Sequence, residues 1–337
     1  MTTLPADPPP ARFVSAGSLP ATDTVPLIVE EAHRLFATED SGSLSTVYPA
    51  LAEADPTLFA LAVASTSGVV ASAGDADEPF TIMSVAKPFV FALVAEARGV
   101  DEVRSRVGVN ATGMAFDSAH AIERDRLGRT NPMVNSGAIA TASMTPGSSL
   151  EARWESLHAG LSAFAGRRLP MDEKTLQSAL ATNHRNRGLA HLLVGLGGLE
   201  CDPGEAVEIY TRQSCLAVTA VDLAVMGATL ADGGTNPLTG QRVVDPETAH
   251  ATLAVMTVSG MYETSGDWLF DVGMPGKSGI GGGIVTVSPG KGALGTFSPL
   301  LNETGNSVRG ELAARYLARR LGMDLLASEA VSPMARR

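Results

Sequence analysis

The sequence predicts an α/β (α+β) fold in which both ends of the chain form one antiparallel sheet and the middle forms a lobe of helices. Short apolar runs separated by turn residues lie at residues 58–73 and again beyond residue 277, as expected for hairpins. Residues 84–260 carry helical patterns instead. With 45% hydrophobic and 18% charged residues in 337 positions, the chain can bury a large core, which excludes disorder over most of its length.

The chain divides into three predicted parts. Residues 1–23 contain five prolines and show neither helical nor alternating spacing, which predicts a Pro-rich N-terminal arm. The folded domain is expected over residues 24–325. Residues 326–337 are expected to form a C-terminal tail.

The first elements of the domain follow from the spacing of apolar residues. A helix is predicted over residues 25–36 and a short helix over residues 47–52. Strands are predicted over residues 58–64 and 69–73, because the Ser-Thr-Ser-Gly sequence between them is typical of a hairpin turn.

The later elements have equally local signals. Thr219 and Asp222 form a capping box and Gly233-Gly234 follows, so a helix is predicted over residues 219–230. Two strands joined by a Ser-Pro-Gly turn and a last amphipathic helix are predicted at residues 279–287, 292–297 and 306–321.

Charge and cysteine content exclude several classes of function. Lys and Arg number 25 against 36 Asp and Glu, and the net charge of −11 leaves no basic face for nucleic acid. Because no apolar stretch is long enough to span a membrane and the N-terminus does not resemble a secretion signal, we expect a cytoplasmic protein that does not bind membranes. Cys201 and Cys215 lie outside any CxxC or Cys/His cluster, so we expect reduced thiols and no metal site.

Lysine is rare in this chain and occurs only at Lys87, Lys174, Lys277 and Lys291. Burial can lower the pKa of a lysine until its neutral amine acts as a base, a role closed to arginine. Ser-x-x-Lys occurs twice, ending at Lys87 and at Lys291. The motif by itself is weak evidence for a catalytic pair.

Context separates the two matches. Ser288 lies in a Pro-Gly turn, where no helix holds its lysine in place. Ser84 begins an apolar helix with Pro88 in the first turn, and residues three apart on a helix share a face. The exposed N–H groups at this helix end favour negative charge on the Ser84 hydroxyl. Alternatively, Ser84 only caps the helix and Lys87 extends along the surface to water.

Lys277 begins the segment Lys277-Ser278-Gly279, and further glycines follow. A Lys-[Ser/Thr]-Gly strand with an upstream Ser-x-x-Lys helix is similar to the active site of serine acylases of the β-lactamase and penicillin-binding class. The glycines let the strand edge approach a substrate, where one N–H can join that of Ser84 in an oxyanion hole.

The alternative for this segment is a phosphate-binding glycine loop. Such loops have the pattern Gly-x-Gly-x-x-Gly or Gly-x4-Gly-Lys-[Ser/Thr] between a strand and a helix, and neither pattern occurs here in that position. The Ser-x-Asn or Tyr-x-Asn element of β-lactam enzymes is absent from the sequence, which argues against a β-lactam substrate.

Several further motifs, in their order and spacing, resemble the serine-dependent glutaminase family over about residues 40–321. They are Phe80-Thr81-Ile82-Met83-Ser84, Thr130-Asn131-Pro132-Met133-Val134-Asn135-Ser136-Gly137-Ala138-Ile139, His184-Arg185-Asn186-Arg187-Gly188-Leu189-Ala190, Tyr210-Thr211-Arg212-Gln213-Ser214-Cys215, Gly260-Met261-Tyr262 and residues 276–284. The resemblance implies a β-lactamase/transpeptidase-like fold and makes residues 24–325 a glutaminase-like catalytic domain.

The resemblance also implies roles for individual residues. Ser84 would be the nucleophile, Lys87 its base, and Tyr262 a phenol that assists proton transfer. Ile280 stands where the family has valine and would supply a backbone N–H to the oxyanion hole. The residues implied to hold the substrate are Tyr48, Asn135, Asn186 and Tyr210.

Two positions depart from the family pattern. The family has Ser-Glu seven residues before the asparagine of His-Arg-Asn, whereas this chain has Ser178-Ala179. A carboxylate of the substrate pocket is therefore missing unless another acid nearby substitutes. The family glutamine just before the nucleophile is Met83 here. Both changes affect recognition of the substrate and not acyl transfer.

The function implied is hydrolysis of the side-chain amide of L-glutamine to L-glutamate and ammonia through an acyl-serine, without metal or cofactor. For Lys87 to be the base, its pKa must fall by about 3 from a usual value near 10.4, which burial and the charge of Lys277 can supply. A homo-oligomer, dimer or tetramer, is expected because members of the family commonly self-associate. Two alternatives stay open: a serine amidase acting on another primary amide, and a catalytically weak relative that binds an amino acid.

Overall fold

The computed structural model describes residues 22–327. Almost all of the predicted arm (1–23) and tail (326–337) lies outside the described residues. In chain order, the strands of the described part are β1 Ala60–Ser65, β2 Val70–Gly74, β3 Phe80–Thr81, β4 Ala217–Val218, β5 Gly276–Ser278, β6 Gly283–Ser288 and β7 Gly292–Phe297.

Five of these strands form one antiparallel sheet in the order β2-β1-β7-β6-β5. β1 and β2 come from the beginning of the chain, and β5 to β7 come from its end. The two ends meet where β1 pairs with β7 over its whole length, from Ala60 opposite Phe297 to Ser65 opposite Gly292. This pairing confirms the predicted sheet with an inserted helical lobe.

The helices occupy most of the segment between β3 and β5. In residues 22–327 they are α1 Thr24–Phe36, α2 Ala86–Arg98, α3 Val100–Val107, α4 Ala119–Glu123, α5 Asn135–Ser143, α6 Leu150–Ala165, α7 Glu173–Thr182, α8 His184–Gly195, α9 Pro203–Ser214, α10 Ala220–Ala231, α11 Pro246–Ser259, α12 Ser265–Val272 and α13 Val308–Arg320. The predicted capping box of Thr219 and Asp222 is present at the start of α10. None of these described helices has both the length and the apolar character needed to cross a membrane.

Different helices cover the two faces of the sheet. Leu61 and Val63 of β1 face α1 and α13, and the alanines of β1 face α10 and the helical lobe. α10 can approach the sheet closely because Gly227 lies against β7, where a Cβ at this position would lie 2.6 Å from the Ala293 Cβ. The sheet is therefore buried on both sides.

The predicted strand over residues 279–287 is wrong at its start. Residues 279–282 form a turn, in which the Gly282 N–H donates to the Gly279 carbonyl at 2.9 Å. Gly282 has a φ of +97°, which favours glycine, and a Cβ at Gly281 would lie 2.4 Å from the Thr81 carbonyl oxygen. The glycines thus serve a tight turn against β3, and the ladder of β6 begins only at residue 283.

The helical lobe packs around α2, whose Phe89 and Phe91 are fully buried and which contacts α5, α6 and α11. The short strand β3 pairs with β4 and leads through a 3-10 helix, Met83–Val85, into α2. This 3-10 helix contacts β5 and β6. The first turn of α2 therefore lies at the boundary between the sheet and the lobe.

Candidate active site

Ser84 lies at a sharp bend between β3 and α2. The preceding residue, Met83, has a φ of 47°, a left-handed conformation that costs a non-glycine residue about 1–3 kcal/mol. Ser84 is partly exposed on the wall of a cavity of about 220 Å³. The residue before α2 is Val85, and no side chain caps this helix end. The alternative in which Ser84 is a helix cap is therefore wrong.

Lys87 is buried in the first turn of α2, with 1% of its surface exposed. Its Nζ donates to the Asn135 Oδ1 at 2.7 Å and to the Met133 carbonyl at 3.2 Å. Burial lowers the pKa of Lys87 to about 7, and the negative charge of Asp117 acts in the opposite direction. The alternative of a surface lysine is therefore wrong, and a large fraction of this amine is neutral near pH 7.

Lys277 on β5 is fully buried beside the same group of residues. Its Nζ donates to the Ser278 carbonyl at 2.7 Å and lies 3.7 Å from the centre of the Tyr262 ring. Burial lowers the pKa of Lys277 far below its usual value, and the charge of Lys87 lowers it further. The predicted repulsion between the two lysine charges is therefore present, and burial is the main cause of the lowered pKa of each lysine.

Two phenols face Ser84. Burial raises the pKa of both Tyr210 and Tyr262, and a hydrogen-bonding interaction with the Ser84 side chain lowers each part of the way. The Tyr262 hydroxyl also donates to the Ser278 carbonyl at 3.3 Å, and its backbone φ is 56°. Both phenols remain protonated at neutral pH, so they can donate hydrogen bonds beside the serine oxygen.

Asn135, the first residue of α5, connects Lys87 to the residues that the resemblance implies hold the substrate. Its Oδ1 accepts from the Tyr210 hydroxyl at 3.1 Å as well as from Lys87, and its Nδ2 donates to the Asn186 Oδ1 at 3.0 Å. Burial raises the pKa of Tyr48 to about 12, and a hydrogen bond with Asn186 acts against this rise. The four residues implied to hold the substrate are thus brought to one wall of the cavity.

The turn after β5 lies beside Ser84, and its residue Ile280 lines the cavity. A Cβ at Gly279 would lie 3.1 Å from the Ser84 backbone N, so the lack of a side chain lets the two segments approach closely. The backbone N–H groups of Ser84 and Ile280 are therefore carried by segments in direct contact, as a two-donor oxyanion hole requires.

Residues 42–326 match the model of the glutaminase family. The chain belongs to the glutaminase family. It is 59% identical to "Glutaminase 2" of Yersinia pestis, with 94% of this chain and 93% of the relative covered. Among solved structures, a probable glutaminase, ybaS, has a TM-score of 0.89 at 38% identity, covering 91% of this chain and 99% of the other. Mglu in its glutamate form has a TM-score of 0.86 at 40% identity, covering 90% of this chain and 70% of the other.

The comparisons confirm the predicted family, the β-lactamase-like fold and the activity. This glutaminase hydrolyses the side-chain amide of glutamine to glutamate and ammonia. Of the functions that the sequence left open, the comparisons support hydrolysis of glutamine. In residues 22–327, no three His, Cys, Asp or Glu side chains are grouped so that they could hold a metal ion.

The two positions that are predicted to depart from the family pattern lie in one apolar cluster. Ala179 is fully buried and packs with Met83, Tyr48, Leu51 and Cys215. Met83 lines the cavity, and Ala179 lies behind that wall. A methionine and an alanine thus occupy the region in which the resemblance implies a glutamine and a glutamate.

Sequence reasoning missed four residues that line the cavity. Phe116, Asp117, Asn183 and Arg185 line it together with the predicted residues. Arg185 belongs to the quoted His-Arg-Asn motif but had been given no role. Asp117 lies in a loop before α4 with neither helical nor alternating spacing, and the sequence contains no signal that would have assigned it to the site.

Proposed function

We propose that this glutaminase acts through an acyl-enzyme formed on Ser84, with the neutral amine of Lys87 as the base. The single observation that carries the proposal is the buried Lys87, which follows the serine by one helical turn and has a pKa of about 7. A lysine in that state can both accept and return a proton at neutral pH.

In the first half of the reaction, Lys87 takes the proton of the Ser84 hydroxyl while the serine oxygen attacks the amide carbon of glutamine. The N–H groups of Ser84 and Ile280 stabilise the resulting oxyanion. The carbon–nitrogen bond then breaks, and the departing nitrogen receives the proton from Lys87 and leaves as ammonia. Tyr262 assists this transfer as a hydrogen-bond donor next to the serine oxygen.

In the second half, water attacks the acyl carbon and gives its proton to Lys87. The carbon–oxygen bond to Ser84 breaks, the serine oxygen regains a proton from Lys87, and glutamate leaves. Tyr48, Asn135, Asn186 and Tyr210 hold the amino acid during both halves. Mglu, which is 40% identical to this chain, is described in a glutamate form, which supports an amino-acid site in the cavity.

The test is capture of the intermediate. Wild-type protein mixed with glutamine and quenched in acid within a turnover should carry a glutamyl ester on the peptide that contains Ser84, detected by mass spectrometry. The matched control is Ser288→Ala, which alters the other Ser-x-x-Lys sequence and should still form the ester. An ester on any other residue, or none with any quench time during active turnover, would exclude Ser84 as the nucleophile.

We further propose that the enzyme is a cytoplasmic homo-oligomer, a dimer or tetramer. The side chain of Phe270 is 89% exposed and that of Leu27 is 65% exposed, and large apolar side chains in water favour contact with a second copy. The thiols of Cys201 and Cys215 are free, which suits a reducing compartment. Light scattering of the purified chain should give a mass that is at least twice that of the monomer.

A further inference from the structure

We propose that Asp117 binds the α-ammonium group of glutamine in this enzyme, with the side-chain oxygen of Asn183 as a second acceptor. The inference rests on the proposed use of the cavity at Ser84 as the substrate site. It concerns the other end of that cavity, where the amino-acid head of the substrate must lie if its amide reaches the serine.

The head of glutamine carries a positive charge that needs a partner in a closed site. A buried ammonium without an acceptor weakens binding strongly, because the charge has lost its water. Position 179, where the family pattern has a carboxylate, is an alanine buried in the apolar cluster behind the wall. The acceptor for the ammonium must therefore come from another position.

Asp117 is the acidic residue among the described side chains that line the cavity. Its carboxylate Oδ2 lies 3.4 Å from the Nε of Arg185. Since a carboxylate can accept about four hydrogen bonds, one contact with a guanidinium leaves room for a substrate ammonium. Arg185 also donates to the Asp117 backbone carbonyl at 2.7 and 3.1 Å, which holds the loop at the cavity mouth.

The neighbouring residue, Phe116, fixes the position of Asp117 relative to the catalytic groups. The Phe116 ring lies 4.8 Å from that of Tyr262, and its carbonyl accepts from the Asn135 N–H at 2.8 Å. The charge of Asp117 is felt at Lys87, whose pKa it raises. Asp117 and Ser84 line the same cavity of about 220 Å³, so one small amino acid can contact both residues.

Asn183 supplies an independent observation. It is 3% exposed and lines the cavity. Its Nδ2 donates to the Thr211 Oγ1 at 3.1 Å, which orients the amide, while its Oδ1 has no hydrogen-bond partner. Buried acceptors are nearly always paired in native proteins. A substrate ammonium, which has three donors, can satisfy this oxygen and the Asp117 carboxylate together.

The test compares two amides on the variant Asp117→Asn, which keeps the shape of the side chain and removes its charge. The substrates are glutamine and glutaramate, which has hydrogen in place of the α-ammonium group but the same carboxylate and amide. We expect kcat/KM for glutamine to fall at least about tenfold, while that for glutaramate changes by less than about twofold. The matched control is Glu123→Gln, which removes an exposed charge from α4 and should leave both values unchanged.

Inhibition gives the same comparison without turnover. Asp117→Asn should raise the Ki of L-glutamate at least about tenfold and leave that of glutarate unchanged, because only glutamate carries the ammonium. Equal losses for both members of either pair would mean that Asp117 acts through the fold, and no loss for glutamine would mean that it does not meet the substrate. Either result overturns the proposal. Asp117→Ala should show the same selectivity if Asp117→Asn does not fold.

These outcomes are distinguishable from failure of the proposed mechanism. If the acyl-enzyme does not form on Ser84, the ester on its peptide is missing whatever residue occupies position 117. If the mechanism holds and Asp117 does not bind the ammonium, the ester forms normally and the ratio of glutamine to glutaramate hydrolysis is the same in Asp117→Asn as in the wild type.

Discussion

The two ends of the cavity differ in how deeply their charged side chains are buried. At the inner end, Lys87 is buried on a helix next to the cavity-lining residue Asn135, and Lys277 is buried on a strand outside the cavity lining. At the mouth, Asp117 lies in a loop and its partner Arg185 on the first turn of α8, and both side chains remain well exposed. A neutral lysine requires burial, whereas a site that exchanges a zwitterion with water needs charges that solvent can still reach. Catalysis and recognition therefore make opposite demands on the same cavity.

The largest expected effects lie at the inner end. Ser84→Ala and Lys87→Ala should each lower kcat at least about a thousandfold, and the double variant should lose little more, because the two residues act as one unit. Steady-state kinetics on the three variants, with circular dichroism to verify folding, measures this. Losses that multiply in the double variant would show that serine and lysine contribute separately.

Tyr262→Phe should lower kcat about a hundredfold and change KM little, because the phenol assists proton transfer without holding the substrate. Tyr316→Phe is the matched control, since Tyr316 lies on the surface in α13 and its hydroxyl interacts with Arg320. A rise in KM with an unchanged kcat would instead make Tyr262 a binding residue.

At the mouth of the cavity, the carboxylate can be moved from position 117 to position 179. Adding Ala179→Glu and Met83→Gln to Asp117→Asn places an acid where the resemblance predicts one, with a glutamine in place of the methionine in the same cluster. We expect kcat/KM for glutamine to recover at least about tenfold relative to Asp117→Asn alone, because the ammonium regains a partner.

The same two substitutions in the wild-type background serve as the control for that exchange. In that background the two substitutions should raise kcat/KM for glutamine by a smaller factor, because Asp117 is already present. If the combined variant folds and shows no recovery, position 179 does not reach the substrate ammonium in this enzyme.

The smallest effect is a shift along the pH axis. Below its pKa of about 7, Lys87 is protonated and cannot act as a base, so kcat/KM should rise from pH 6 and level off above about pH 8. Because the charge of Asp117 raises the pKa of Lys87, Asp117→Asn should move this rise to lower pH. The pH dependence of kcat/KM for glutaramate, measured on the wild type and on Asp117→Asn, tests the rise and its shift. A flat profile between pH 6 and 9 would remove Lys87 from the role of base.

Most of the fold could be predicted because its signals are local. The hairpin of β1 and β2, strand β7 and the capping box of α10 were each visible within about ten residues, and all three are present. The strand predicted over residues 279–287 was wrong at its start, because a run of glycines looks the same in a strand and in a turn. Contact of Gly281 with Thr81, two hundred residues earlier in the chain, decides for the turn.

The sequence by itself determined the family and the sheet built from both ends of the chain. It also identified Ser84, Lys87 and Tyr262 as candidate catalytic residues, because motifs and the spacing of residues can be recognised without the structure. Only the tertiary structure decided that both lysines are buried with lowered pKa values and that Asp117 lines the cavity. The pKa of Lys87 depends on its burial, and the position of Asp117 depends on a loop held between Tyr262 and Arg185. Burial and charge are properties of residues that meet in space, so they are decided when the chain folds.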